Sequence, residues 1–210
     1  MIELIITQWK NASIPELVGL FCTLAFAWFA GSENKIAWLF CAVNLGISVV
    51  LFSMDGEHLR GTLCAILFMM SLWGYYLWHK RTVDNLFITR VNNHRHIILF
   101  SLTLCLALLI STLSFVYTGD ARIIHVAFYS FGVLVLYFTI NKDIEAWFYW
   151  AIINITSAYL AMQNQNYLGL SVLLLYVPLT IRGLYIWTNR YYNLLGKRME
   201  KAELKNTSES

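Results

Sequence analysis

The chain has 210 residues, of which 59% are hydrophobic, 16% aromatic and 13% charged, with a formal net charge of +3. Its mean hydropathy of +0.59 is that of a membrane protein rather than a soluble enzyme or binding domain. The small positive excess is left to topology and anionic lipid, and implies no nucleic-acid partner.

The opening stretch MIELIITQWKN has neither the basic start, the long apolar run nor the small-residue cleavage site of a signal peptide. Runs near the ~20 apolar residues that cross a bilayer lie at 14–31, 35–53, 60–79, 97–117, 123–140, 145–162 and 167–188. The fold expected is an all-α membrane protein with seven transmembrane helices. Lys10, Arg60 and Arg122 fall on one side of these spans. The other side takes Lys35, Lys80, Arg81, Arg90, Arg95, Lys142, Arg190, Lys197, Arg198, Lys201 and Lys205. Positive charge collects in the cytoplasm, so the N-terminus is expected outside and the C-terminus inside.

The first segment carries Glu16 near its outer end, and the second carries Asn44 at its centre within FCAVN (40–44). The third ends in SLWGYYLW (71–78), with Trp73 deeper than Tyr76 and Trp78. Tyr and Trp gather where a span meets the headgroups, so Tyr76 and Trp78 are expected at the cytoplasmic boundary. Cys22, Cys41, Cys64 and Cys105 stand in separate segments without metal or disulfide spacing, as small apolar residues do. The polar, basic HKRTVDNLFITRVNNHRH then leads into the fourth segment. The fifth holds His125. The sixth begins with Lys142, Asp143 and Glu145 and continues through Trp147, Trp150 and Asn154, which share one helix face at i, i+3 and i+7. The seventh contains Pro178, Arg182 and RGLYIW, and the tail LKNTSES is expected to be disordered.

The chain repeats itself. Gly74, Tyr76 and Trp78 are answered 109 residues later by Gly183, Tyr185 and Trp187, and WAIIN (150–154) lies over FCAVN at an offset of 110. Three spans, one spare and three spans form a 3+1+3 parallel repeat, because a single intervening crossing leaves both triplets running the same way. The divisions are 1–79 for the first repeat, 80–118 for connector and linker helix, 119–189 for the second repeat and 190–210 for the tail. Asn44 and Asn154 then reach the same depth. An amide there needs a partner, either a neighbouring helix or a neutral polar substrate. Trp147 and Trp150 above Asn154 make a slot for a flat ring, with cation–π attraction if that ring is charged. Trp73 would close the far side, Glu145 could draw a cation toward the slot, and Glu16 and His125 could line an outer vestibule. Arg182 is costly inside a bilayer and either snorkels, pairs or faces the pore; Pro178 could hinge a gate. Gly74 and Gly183 would let helices approach closely.

No Lys lies in any span core, which argues against a retinal Schiff base. His58, His79, His94 and His96 lack carboxylates at ligand spacing, which argues against an intramembrane metalloenzyme. Neither an enzyme nor a cofactor is expected.

KDIEAWFYWAIINITSAYLAMQNQNYLGLS with RGLYIW, and WGYYLW in the first half, resemble the Pnu (PnuC/PnuT) family of bacterial vitamin transporters, which carry nicotinamide riboside or thiamine. The resemblance runs through residues 14–188, and its most specific element is W-x-x-W followed four residues later by Asn. It implies a SWEET-like fold, a homotrimer in the bacterial inner membrane, and uniport without ATP or ion coupling, with the vitamin trapped by a cytoplasmic kinase. It also implies Gln and Asn in the third span, Asn in the seventh and an acid in the fifth, where this chain has Ala65, Ser71, Arg182 and His125. Those departures favour thiamine over nicotinamide riboside, with riboflavin third. A substrate-capturing subunit of an ATP-driven importer is the competing class.

Overall fold

The computed structural model describes residues 2–80, 88–118 and 123–209, so part of the 80–118 connector lies outside the described residues. Among these residues eight helices run α1 (Ile2–Asn11), α2 (Ile14–Gly31), α3 (Ala37–Met54), α4 (His58–Lys80), α5 (Asn93–Thr118), α6 (Ile123–Asn141), α7 (Ala146–Gln163) and α8 (Tyr167–Glu209). Among the described residues there is no strand, only an isolated bridge between Thr89 and Asp143. The expected spans correspond to α2 through α8. By length and composition, however, five helices among the described residues suffice to cross a membrane, namely α2 to α5 and α8; the apolar stretch of α6 is a shorter one, Val126–Asn141.

Two elements depart from expectation. An additional helix, α1, precedes the first span and is fastened to the start of α8: Gln8 donates to the carbonyl of Gln165 and accepts from the amide of Leu168, and the Trp9 indole donates to Ser171. The tail is helical through Glu209, contrary to the expected disorder. Leu, Lys, Ala and Glu are good helix formers, and no proline follows Pro178 to stop the helix.

Helices α2, α3 and α4 pack in succession, as do α6, α7 and α8; α4 lies against α6, α8 against α2, and α5 against α6. Large apolar side chains remain on the outer wall, such as Leu102, Leu109, Ile155, Leu174 and Ile181. A soluble monomer does not leave so much apolar surface in water, whereas hydrocarbon accommodates it.

Why the bundle packs as it does is clearest at α4. Its buried residues Gly61, Cys64, Leu67, Ser71, Gly74 and Trp78 follow helical spacing and form the inner stripe. Ile66, Met69, Trp73 and Tyr76 form a second apolar stripe that faces outward. The ring of Trp38 lies so close over Gly74 that a Cβ there would sit 2.6 Å from it, and Trp147 lies likewise over Gly183, at 2.2 Å. Gly183 also admits the backbone of α2, since a Cβ on Gly31 would stand 3.2 Å from its Cα. The two close approaches are again 109 residues apart.

Candidate functional site

A cavity of about 290 Å³ lies between the two triplets, lined by residues that include Phe26, Asn44, Tyr129, Trp150, Asn154 and Tyr176. Its volume is near the lower end of the ~300–1,000 Å³ typical of ligand pockets. None of the described residues lining it is charged. Asn44 from α3 and Asn154 from α7 are therefore brought to one space, as their matched depths suggested. The side chain of Asn44 makes no hydrogen bond among the described residues; its Oδ1 rests against Gly19. The Asn154 amide donates to Thr180 Oγ1 at 3.3 Å. Trp150 leans on Phe26 and Tyr176, with ring centroids 5.4 and 6.1 Å away, and its indole donates to Thr139 Oγ1 at 3.1 Å.

The other expected site residues lie elsewhere. Trp73 is 60% exposed on the outward stripe of α4 and cannot close the cavity, because a one-residue step along a helix turns a side chain through about 100° from the inner stripe. Trp147 shares the α7 face with Trp150 but lies one turn beyond the cavity, buried under Gly183 and edge-to-face with Trp187 at 5.4 Å. Glu145 accepts from Arg90 Nε and the amide of Val91, so it fixes the connector instead of drawing a cation to the slot. Arg182 reaches back to α2, donating to the Trp28 carbonyl and Ser32 Oγ and stacking 4.0 Å over the Trp28 ring. A guanidinium so occupied neither faces the pore nor snorkels freely. Glu16 lines a cleft of about 170 Å³ that shares Thr23, Asn44 and Ser48 with the cavity. The side chain of His125 lies outside the described residues. Among the described residues no cluster of His, Cys, Asp and Glu could hold a metal.

That cleft also touches Pro15 and Asn166, so the cavity continues toward the end of the bundle that carries the N-terminus. The opposite end is shut. There Trp78 and Trp187 are buried, not at a lipid boundary as expected, while Tyr76 and Tyr185 are exposed. The Trp78 indole donates to the carbonyl of Ile140 in the last turn of α6, at 3.0 Å, and the Trp187 indole to that of Ala30 in the last turn of α2, at 3.2 Å. Each triplet thus holds the other. Beyond the indoles, Glu33 and Lys142 form an ion pair at 2.6 Å, Lys142 lies 4.9 Å from the Trp78 ring centre, and Arg190 adds a second bond to Glu33 at 2.7 Å. Glu33 and Lys142 have φ of 55° and 58°, where glycine is the usual residue at a helix C-terminus. Keeping charged side chains in that conformation costs about 1 kcal/mol each, which the ion pair offsets.

Beside this seal the connector folds back. Thr89 pairs by backbone with Lys142 and Ile144, and its hydroxyl donates to Asp143 Oδ1 at 2.5 Å. Burial pushes the Asp143 carboxyl up, opposed by the Thr89 hydrogen bond, and its Oδ2 has no hydrogen-bond partner among the described residues.

The cavity is thus neutral and aromatic, lies between two triplets, and is open at one end and braced at the other. The family model described as nicotinamide mononucleotide transporter matches residues 13–189. The chain belongs to that family. It is a multi-pass membrane transporter of the Pnu type and not an enzyme. Among solved structures it is similar to one described as the crystal structure of the vitamin B3 transporter PnuC, with a TM-score of 0.72, 12% identity, and coverage of 91% of this chain and 88% of that chain. At that identity the likeness establishes the fold alone. No curated protein sequence matches the chain.

Several residues that line this cavity or stand behind its wall carried no signal in the sequence. Tyr129, Tyr176, Thr139 and Thr180 are ordinary members of apolar helices until the bundle assembles.

Proposed function

We propose that the chain imports a vitamin with a flat nitrogen heterocycle, nicotinamide riboside first, across the bacterial inner membrane by uniport. The observation that carries this reading is the cavity, uncharged among its described lining residues, in which Asn44 and Asn154 meet Trp150. A ring can stack on the indole while the amides bond its polar edge. A phosphorylated substrate would bring charge into a cavity with no charged residue among its described lining, so the unphosphorylated vitamin suits the site better than the mononucleotide in the family description. Thiamine remains the second reading, because Trp150 suits its flat cation equally well. Its sequence argument is weaker in three dimensions, since Ala65, Ser71 and Arg182 do not line the cavity.

The contacts repeated at an offset of 109 support two repeats related by an axis along the membrane normal. We take the braced end as cytoplasmic, from the distribution of Lys and Arg, and the open end as outer. Transport then consists of breaking the Trp78 and Trp187 bonds and the Glu33–Lys142 pair as the triplets rock, with Pro178 in α8 as hinge. A homotrimer and trapping by a cytoplasmic kinase complete the proposal.

The test is quenching of intrinsic Trp fluorescence by nicotinamide riboside, thiamine and riboflavin, paired with uptake into liposomes by the purified protein alone. Saturable quenching and ATP-independent uptake of nicotinamide riboside are expected, both lost in Asn44→Leu/Asn154→Leu. Full uptake by that double variant would refute the site, and uptake only with added ATP-driven partners would refute uniport.

A further inference from the structure

The α7 wall of the cavity presents two polar groups, the indole N–H of Trp150 and the amide of Asn154, one turn apart. Each meets a threonine on a neighbouring helix. Thr139 on α6 accepts from the indole at 3.1 Å and donates to the carbonyl of Val135 at 2.8 Å. Thr180 on α8 accepts from the Asn154 amide at 3.3 Å and donates to the carbonyl of Tyr176 at 3.1 Å. Both threonines are buried. A hydroxyl has one proton, and in each case it is committed to the carbonyl one turn back. Only lone pairs remain to face α7. Thr180 can therefore take nothing from Asn154 but its NH2, which turns the carbonyl Oδ1 away from Thr180 without any hydrogen-bond partner among the described residues. The indole N–H is likewise spent on Thr139.

We infer that Thr139 and Thr180 are positioning residues that fix the hydrogen-bond polarity of the binding site, leaving the α7 wall with an aromatic face and with the Oδ1 acceptor and second N–H of Asn154 held in one order. The ligand group that meets Asn154 Oδ1 must then be an N–H donor. A primary carboxamide or an aminopyrimidine fits; a ketone or ring carbonyl can take the second N–H but leaves the buried Oδ1 unpaired. This rests on the cavity being the substrate site.

The experiment pairs ligands that differ at that one group: nicotinamide riboside against 3-acetylpyridine riboside, and thiamine against oxythiamine. Wild-type protein is expected to bind the NH2-bearing member of its preferred pair about tenfold or more tightly, the worth of one hydrogen bond in an enclosed site. Thr180→Val keeps the shape and frees the amide to flip, so the preference should fall to within about twofold, and Thr180→Ser should restore it. An unchanged preference in Thr180→Val overturns the inference. Two measurements need no ligand. Thr139→Val should shift the Trp emission spectrum, and the shift should vanish when Trp150 is already Phe. The loss of melting temperature caused by Thr180→Val should shrink when Asn154 is already Leu. If those ligand-free couplings appear while no vitamin binds, the threonines hold Trp150 and Asn154 but the substrate reading has failed. If the couplings are absent, the positioning role has failed whatever binds.

Discussion

Replacing Gly183 by Ala adds a single methyl group, yet it should loosen the bundle. An ideal Cβ at residue 183 meets three atoms of the Trp147 ring at 2.2, 2.3 and 2.5 Å. Ordinary contact begins near 3.4 Å, so the ring must retreat by roughly 1 Å in a packed interior that gives little. It has nowhere to go: Trp147 is 2% exposed and its neighbour Trp187 is fully buried. Overpacking of this kind costs about 1–3 kcal/mol, occasionally more, and Ala recovers about 0.5–1 kcal/mol of helix propensity. At contacts this short the upper part of the range applies, which leaves a net loss of about 2 kcal/mol. For a chain of this size that corresponds to a melting temperature lower by about 4–8 °C. The assay is thermal unfolding in detergent followed by near-UV circular dichroism. Gly46→Ala is the control, since its Cβ would meet only Phe68, at 3.6 Å, and should be neutral or slightly stabilising. Gly183→Ala combined with Trp147→Phe should recover part of the loss, because Phe lacks the outer six-membered ring. A Gly183→Ala protein that melts with wild type, or a double variant that is merely additive, would refute the packing argument.

Lys142→Met removes an ion pair whose side chains are 11% and 6% exposed and should favour opening of the braced end by about 1–3 kcal/mol. In an otherwise cysteine-free background, Ala30→Cys should then react faster with an impermeant maleimide, and an unchanged rate would count against a gate here. Arg182→Met should lower the melting temperature through loss of its Trp28 and Ser32 contacts, about 1–2 kcal/mol, while the affinity for vitamin measured by fluorescence stays that of wild type. The raised Asp143 carboxyl means that the native state holds this proton more tightly than the unfolded chain, whose value is the ordinary 3.8. Its contribution to stability is present below 3.8 and lost as pH rises through the raised value. Asp143→Asn should remove that decline, so melting curves collected across this range should diverge as pH increases; parallel curves would show that Asp143 titrates as in the unfolded chain.

The helices were legible because hydrocarbon asks for long apolar runs, and six of the seven expected segments end within about four residues of the observed helices, within ordinary boundary error. The exception is α8, which continues past 188 to Glu209. Pairing Asn44 with Asn154 was legible too, since an amide in an apolar run stands out by its cost. Trp73, Trp78 and Trp187 were misread for one reason. In water, periodicity separates the inside of a helix from the outside; in lipid both stripes are apolar, and nothing in SLWGYYLW says which ring faces the core. Arg182 and Glu145 had partners, Trp28 and Arg90, that are far away in the chain.

Sequence by itself determined that this chain is a helical membrane protein with motifs that recur at an offset of 109 and with an amide in each of two apolar runs, because those properties depend on composition and short-range order. Only the tertiary structure decided which aromatic rings line the cavity, which end is braced, and that Thr139 and Thr180 stand behind Trp150 and Asn154. Each of those facts is a meeting between helices, and a hydrogen bond between residues 154 and 180 exists only once α7 and α8 have packed.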